Sequence, residues 1–93
     1  MIMTVDHFDP TPKHVQIAAI VREQIRSGKL RPLMPIPSEN QMVQMHGVAR
    51  DTARAAARLL AEEGWVFTIR SRGTFVSPRE RWPEDVPHDE DEG

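Results

Sequence analysis

The 93-residue chain contains no cysteine. That excludes a disulfide framework, a thiol nucleophile and a cysteine-ligated zinc, and it fits a reducing cytoplasm. Tyrosine is absent too, and aromatic residues make up only 5% of the chain. No apolar run approaches the roughly 20 residues that a membrane helix needs. The first ten residues hold Asp6 and Asp9 and no basic cluster, so they are not a secretory signal. An excess of positive charge is also missing. Lysine and arginine total 12 against 14 aspartates and glutamates, a net charge of −2. Taken as a whole, that balance speaks against a phosphate-binding surface. The four histidines (His7, His14, His46 and His88) lack ligand spacing, so no metal site is expected. No nucleophile stands near a base and no phosphate loop is present, so neither an enzyme nor a cofactor is expected. The length suits one domain.

What is present is unevenly placed. All 12 basic residues lie within residues 1–83, alongside 8 acids, a balance of +4. Residues 84–93 carry the other 6 acids and almost no apolar side chain. The expected organisation is an arm over 1–11, a folded domain over 12–77, and a basic spacer with a disordered acidic tail over 78–93.

Within the domain the pattern is first helical. Ile17, Val21 and Ile25 recur at steps of four, with Ile20 beside them. Thr11 is the expected cap, Pro12 the first helical residue, and Gly28 the stop. Pro32, Pro35 and Pro37 then forbid a helix, while Met34 and Ile36 suit a short edge strand. Ser38 opens a second helix, with Glu39 at the positive end of its dipole and Met42 and Met45 as its buried stripe. Gly47 ends it. A third helix is expected over 50–63, rich in alanine, the residue that favours helix most. Its buried face is Ala53, Ala56, Ala57 and Leu60. Arg50, Arg54 and Arg58 form one basic stripe on its other side, with Arg58 solvated or paired to Glu62. Two strands follow, 65–69 and 74–76, joined by a turn that carries Arg70 and Arg72. Trp82 suits either the core edge or an exposed place.

Helix, short strand, helix, tight turn, helix and hairpin describe a mainly α (α+β) winged helix-turn-helix: three helices, a C-terminal β-hairpin wing and a short strand after the first helix. In such a fold the helix after the turn enters the major groove with its N-terminal end first. Arg50 sits at that end, where its planar fork matches guanine O6 and N7. Thr52 can meet a phosphate or a thymine methyl, and Arg54 faces the same way. Arg70, Arg72 and Gly73 can lie along the backbone or in the minor groove.

These residues carry a resemblance. Pro37-Ser38-Glu39, the run from Gly47 to Arg54, Glu63-Gly64-Trp65-Val66, and Arg72-Gly73-Thr74-Phe75-Val76 resemble the DNA-binding domain of GntR-type bacterial transcription regulators. Gln16-Ile17 and Ser27-Gly28-Lys29-Leu30 agree with its first helix and exit. The resemblance implies a sequence-specific transcription regulator, a repressor, bound as a homodimer to a palindromic double-stranded DNA operator. It implies DNA contacts from Arg50, Thr52, Arg54 and Gly73. The candidate DNA-binding residues are these together with Ser38, Asn40 and Asp51 around the reading helix and Arg70, Arg72 and Thr74 in the wing. Asn40 and Asp51 depart from the family's Arg and Thr. The first change removes a phosphate or base contact, and the second repels phosphate or reads a cytosine amine. Ser71 stands where the wing often has Gly. The family adds a C-terminal ligand-binding domain, so no small-molecule effector is expected within this chain. The alternative use of such a fold is a protein-binding adaptor.

Overall fold

The computed structural model describes residues 5–84. Its elements are helices α1 (Lys13–Arg26), α2 (Glu39–His46) and α3 (Arg50–Glu63), strands β1 (Val66–Ile69) and β2 (Gly73–Val76), and a 3-10 turn at Arg79–Arg81. Among the described residues no helix is long and apolar enough to cross a membrane.

Helix α1 buries Ile17, Ala18, Ile20, Val21 and Ile25, the face that the spacing of its apolar residues predicts. Its start differs from expectation. Pro12 is the cap residue, and no side chain caps the helix. Thr11 is occupied elsewhere: its N–H donates to Asp9 Oδ1 (2.8 Å) and its carbonyl accepts from Gln16 Nε2 (2.9 Å). The Gln16 amide also bonds both backbone groups of Asp6, accepting from N at 2.8 Å and donating to O at 3.1 Å. One side-chain amide thus folds the arm back onto α1, and Val5 enters the core.

Helix α2 carries a reciprocal capping box. Gln41 N donates to Ser38 Oγ (3.1 Å), and Ser38 N donates to Gln41 Oε1 (2.8 Å). Two backbone donors that the helix leaves unpaired are satisfied in this way. The buried stripe is not the one expected. Met42 is buried, but Met45 is 57% exposed and His46 takes the inner position. A step of four residues turns 40° past a full circle and a step of three falls 60° short. Burial follows the first, from Met42 to His46. The His46 ring is desolvated, which pushes its pKa down, and its Nδ1 has no hydrogen-bond partner.

Helix α3 packs against α1 through Ala53, Ala56 and Leu60, all fully buried, with Ala57 at the margin. Alanine at these positions lets two helices approach closely, because interaxial distance follows the side chains at the contact. Beyond α3, Val66 pairs with Val76, Phe67 with Phe75, Thr68 with Thr74 and Ile69 with Gly73 in an antiparallel hairpin. The expected edge strand at 34–36 appears as a short ladder on the other side of β2. Leu33 N donates to Val76 O, Val76 N to Met34 O and Ile36 N to Thr74 O. Prolines are tolerated there because the outer side of an edge needs no N–H.

The segment read as a basic spacer packs on the core as far as Trp82. The Trp82 ring lies 5.7 Å from that of Trp65, and its Nε1 donates to Ser77 O at 2.8 Å. Arg79 covers the ring at 5.0 Å. Trp82 is therefore buried at the core edge. Glu84 pairs with Arg26 at 3.1 Å. The disorder expected of the acidic tail falls on residues 85–93, outside the described residues.

Candidate nucleic-acid interface

The link between α2 and α3 is three residues long. Gly47 adopts a left-handed conformation (φ 65°) and its N–H closes α2 on Val43 O. Only glycine adopts that conformation without steric cost. Val48 is buried and anchors the turn. Ala49 is extended and starts α3 without a side-chain cap. Arg50 is thus the first helical residue and projects from an end whose position is set by a buried side chain.

Four charged side chains meet at this end. Glu39, the first residue of α2, accepts from Arg54 through both carboxylate oxygens (Nε to Oε2 at 3.3 Å, Nη2 to Oε1 at 3.4 Å). It also pairs with Arg50 Nη1 at 3.5 Å. Arg50 Nη2 donates to Asn40 Oδ1. Arg54 Nη1 reaches Asp51 Oδ1 at 3.4 Å. The Arg54 hydrogen bond, helped by the charges of both arginines, holds the Glu39 carboxyl below the ordinary glutamate range. The same bond raises Arg54. All of these side chains remain substantially exposed, so the pairs orient the guanidinium groups and add little to stability.

Glu39 was expected only to complement the helix dipole, and its hold on both arginines went unread. The signal was present in the chain: a short turn brings the first residue of α2 alongside the first turn of α3. Asn40, expected as a lost contact, is an acceptor for Arg50. Arg58 is exposed on the same helix and forms no ion pair with Glu62 among the described residues. Thr52 is half-buried.

The wing completes the surface. A cleft of about 360 Å³ is lined by Ser38 and Glu39 of the α2 start, Ala57 of α3, and Arg72, Gly73 and Thr74 of the wing. The start of α2 and the hairpin therefore line one cleft, to which α3 contributes Ala57. Thr74 shares a hydroxyl hydrogen bond with Thr68 across the strands (3.1 Å). Arg70 is exposed at the tip outside the cleft lining. Ser71 takes the left-handed conformation (φ 69°) that its position demands, at a steric cost that glycine avoids.

The family pattern described as "Bacterial regulatory proteins, gntR family" matches residues 13–76, more than half of the chain. The chain belongs to the GntR family. Among curated relatives, the HTH-type transcriptional repressor NagR of Bacillus subtilis is 39% identical over 75 residues, 81% of this chain and 31% of NagR. The arabinose metabolism transcriptional repressor of Geobacillus stearothermophilus is 36% identical over 71% of this chain and 18% of its own length. The chain thus spans about a third or less of these relatives. Among solved structures, YtrA from Sulfolobus acidocaldarius, a GntR-family transcription factor, superposes with a TM-score of 0.76. It is 31% identical, over 84% of this chain and 82% of that one. The AraR DNA-binding domain in complex with operator ORX1 gives 0.70 at 34% identity, over 78% and 87%. The fold is the winged helix of GntR DNA-binding domains.

Proposed function

We propose that this GntR domain binds double-stranded DNA sequence-specifically and acts as a transcriptional repressor by occupying an operator. The observation that carries the reading is the pair Arg50 and Arg54, braced side by side on Glu39 at the end of α3 that follows the turn. A guanidinium held in one plane before DNA arrives loses little entropy on binding, and its fork matches guanine O6 and N7. Helix α3 then enters the major groove with Arg50, Asp51, Thr52 and Arg54 leading. Ser38 and Asn40 lie beside the adjacent backbone, and Arg70, Arg72, Gly73 and Thr74 follow the backbone or minor groove. Action is by occupancy, without chemistry, in the bacterial cytoplasm.

A domain of this size covers only about 600–1,000 Å² on DNA. Two copies on a palindromic operator multiply that area, and a homodimer on DNA is part of the proposal. The balance of +4 over residues 1–83 is modest, so affinity rests on oriented donors and on pairing more than on bulk charge. Selection from random double-stranded DNA with the purified chain tests this. The expected result is a palindromic consensus, lost in Arg50→Ala and Arg54→Ala. Sequence preference unchanged by both substitutions refutes the reading.

A further inference from the structure

We infer that Asp51 is a specificity-determining residue that reads the exocyclic amine of a cytosine in the major groove, next to the base taken by Arg50. The inference rests on the DNA-reading function proposed above and names the base chemistry of that site.

Three observations carry it. First, Asp51 is the second residue of α3, at the end that leads into the groove, and its side chain is 93% exposed. Second, Arg54 Nη1 holds Asp51 Oδ1 at 3.4 Å. That contact, three residues apart, keeps the carboxylate on the face that carries the two arginines. Oδ2 has no hydrogen-bond partner among the described residues. Third, the nitrogens of the two arginines are unequally engaged. Arg54 spends Nε and Nη2 on Glu39 and Nη1 on Asp51. Arg50 contacts Glu39 and Asn40 through its terminal nitrogens only. Arg54 is therefore the positioning residue, Arg50 the outward donor and Asp51 the outward acceptor.

An ionised carboxylate accepts hydrogen bonds and donates none. In the major groove the base donors are cytosine N4 and adenine N6. Adenine N6 is flanked by its own N7 and by thymine O4, both acceptors that repel a carboxylate, whereas cytosine N4 has the guanine O6 on one side and only its own C5–H on the other. Cytosine is the better partner. Glu39, Arg50, Asp51 and Arg54 together carry no net charge, so this end of α3 discriminates among bases by donor and acceptor pattern and adds little attraction for phosphate.

The test is selection from random double-stranded DNA with the wild-type chain, Asp51→Asn, Asp51→Ala and Arg50→Ala. The wild type should enrich a cytosine at one position in each half-site. Asp51→Asn keeps an acceptor for Arg54 but adds a donor, so that position should shift towards adenine, whose N6 and N7 suit an amide. Asp51→Ala should reduce the preference for cytosine over thymine there by about tenfold, while binding to random DNA strengthens because a charge repelling phosphate is gone. Arg50→Ala should flatten the neighbouring guanine and leave the cytosine. Wild-type enrichment with identical base frequencies in both Asp51 variants overturns the inference and leaves the DNA-reading function standing. Uniform loss across all sequences by a folded Asp51→Asn also overturns it, because Asp51 is then only a brace for Arg54. No enrichment by the wild type brings down both.

Discussion

The two ends of helix α3 are built from opposite materials. At the N-terminal end Arg50, Asp51 and Arg54 are exposed and held by one another, by Glu39 and by Asn40. Toward the C-terminal end Leu60 is fully buried, and beyond Gly64 the Trp65 and Trp82 rings close the core. Burying large apolar side chains stabilises by about 1.5–3 kcal/mol each, while exposed ion pairs contribute about 0–1 kcal/mol. One end of a single helix therefore carries stability and the other carries oriented chemistry. The two functions are separable by mutation.

Trp82→Ala should break the stable end most. It removes the ring packed at a tilt against Trp65 and the donor to Ser77 O, at a cost of about 3–5 kcal/mol. Urea denaturation should show that loss, with DNA affinity preserved wherever the variant is still folded. Arg50→Ala should do the reverse. A loss of about 1–3 kcal/mol in operator binding is expected, measured by titration against the selected site, with the melting temperature unchanged within about 4 °C. A large stability loss in Arg50→Ala would erase the division between the two ends.

His46→Leu sharpens the comparison at the turn between the ends. The buried ring leaves Nδ1 unpartnered, so the apolar replacement should stabilise by about 1 kcal/mol. The gain should be pH-dependent. Burial lowers the folded pKa of His46. The stability of the neutral ring is thus present in full above the unfolded value, about 6.5, and is lost as pH falls from there through the folded value. Melting curves between pH 5 and 8, approximately the histidine range, should separate the two proteins most at the acidic end.

Glu39→Gln loosens the brace of both arginines while keeping the helix start. Below about 1 kcal/mol of stability should be lost at neutral pH, whereas base discrimination in the selected site should weaken. The Glu39 carboxyl is held low by Arg54. Its contribution is present above the unfolded glutamate value, about 4.3, and disappears as pH falls through the lower folded value. The acid limb of the wild-type stability curve should therefore flatten in this variant. Ser71→Gly is the smallest change. Relief of the left-handed serine, of order 1 kcal/mol, is partly offset by the greater unfolded freedom of glycine. A gain of a few tenths of a kcal/mol in thermal unfolding is expected on that balance, with no change in DNA preference.

Much of this was legible in order along the chain. The third helix, the hairpin and the glycine stops follow from alanine content, alternation and left-handed turn chemistry, which are local properties. The first helix is also local in its apolar face, but its cap is not. Gln16 competes for the backbone of the arm, and that competition depends on a segment ten residues away. Met45 differs from expectation because both a three- and a four-residue step keep an apolar stripe roughly aligned, and only the packed fold, which buries His46 with Met42, chooses between them. Trp82 could be placed only once Trp65 offered it a ring.

The sequence by itself determined the winged-helix order and the family, because spacing and turn chemistry act over a few residues. Only the tertiary structure decided that Glu39 and Asn40 hold Arg50 while Glu39 and Asp51 hold Arg54, because those contacts cross from one helix to the next or depend on how side chains are oriented there. It also decided that Trp82 joins the core. The charge balance that seemed to speak against nucleic acid comes from the six acids of residues 84–93, while Glu39 and Asp51 orient the arginines that they neutralise at the N-terminal end of α3.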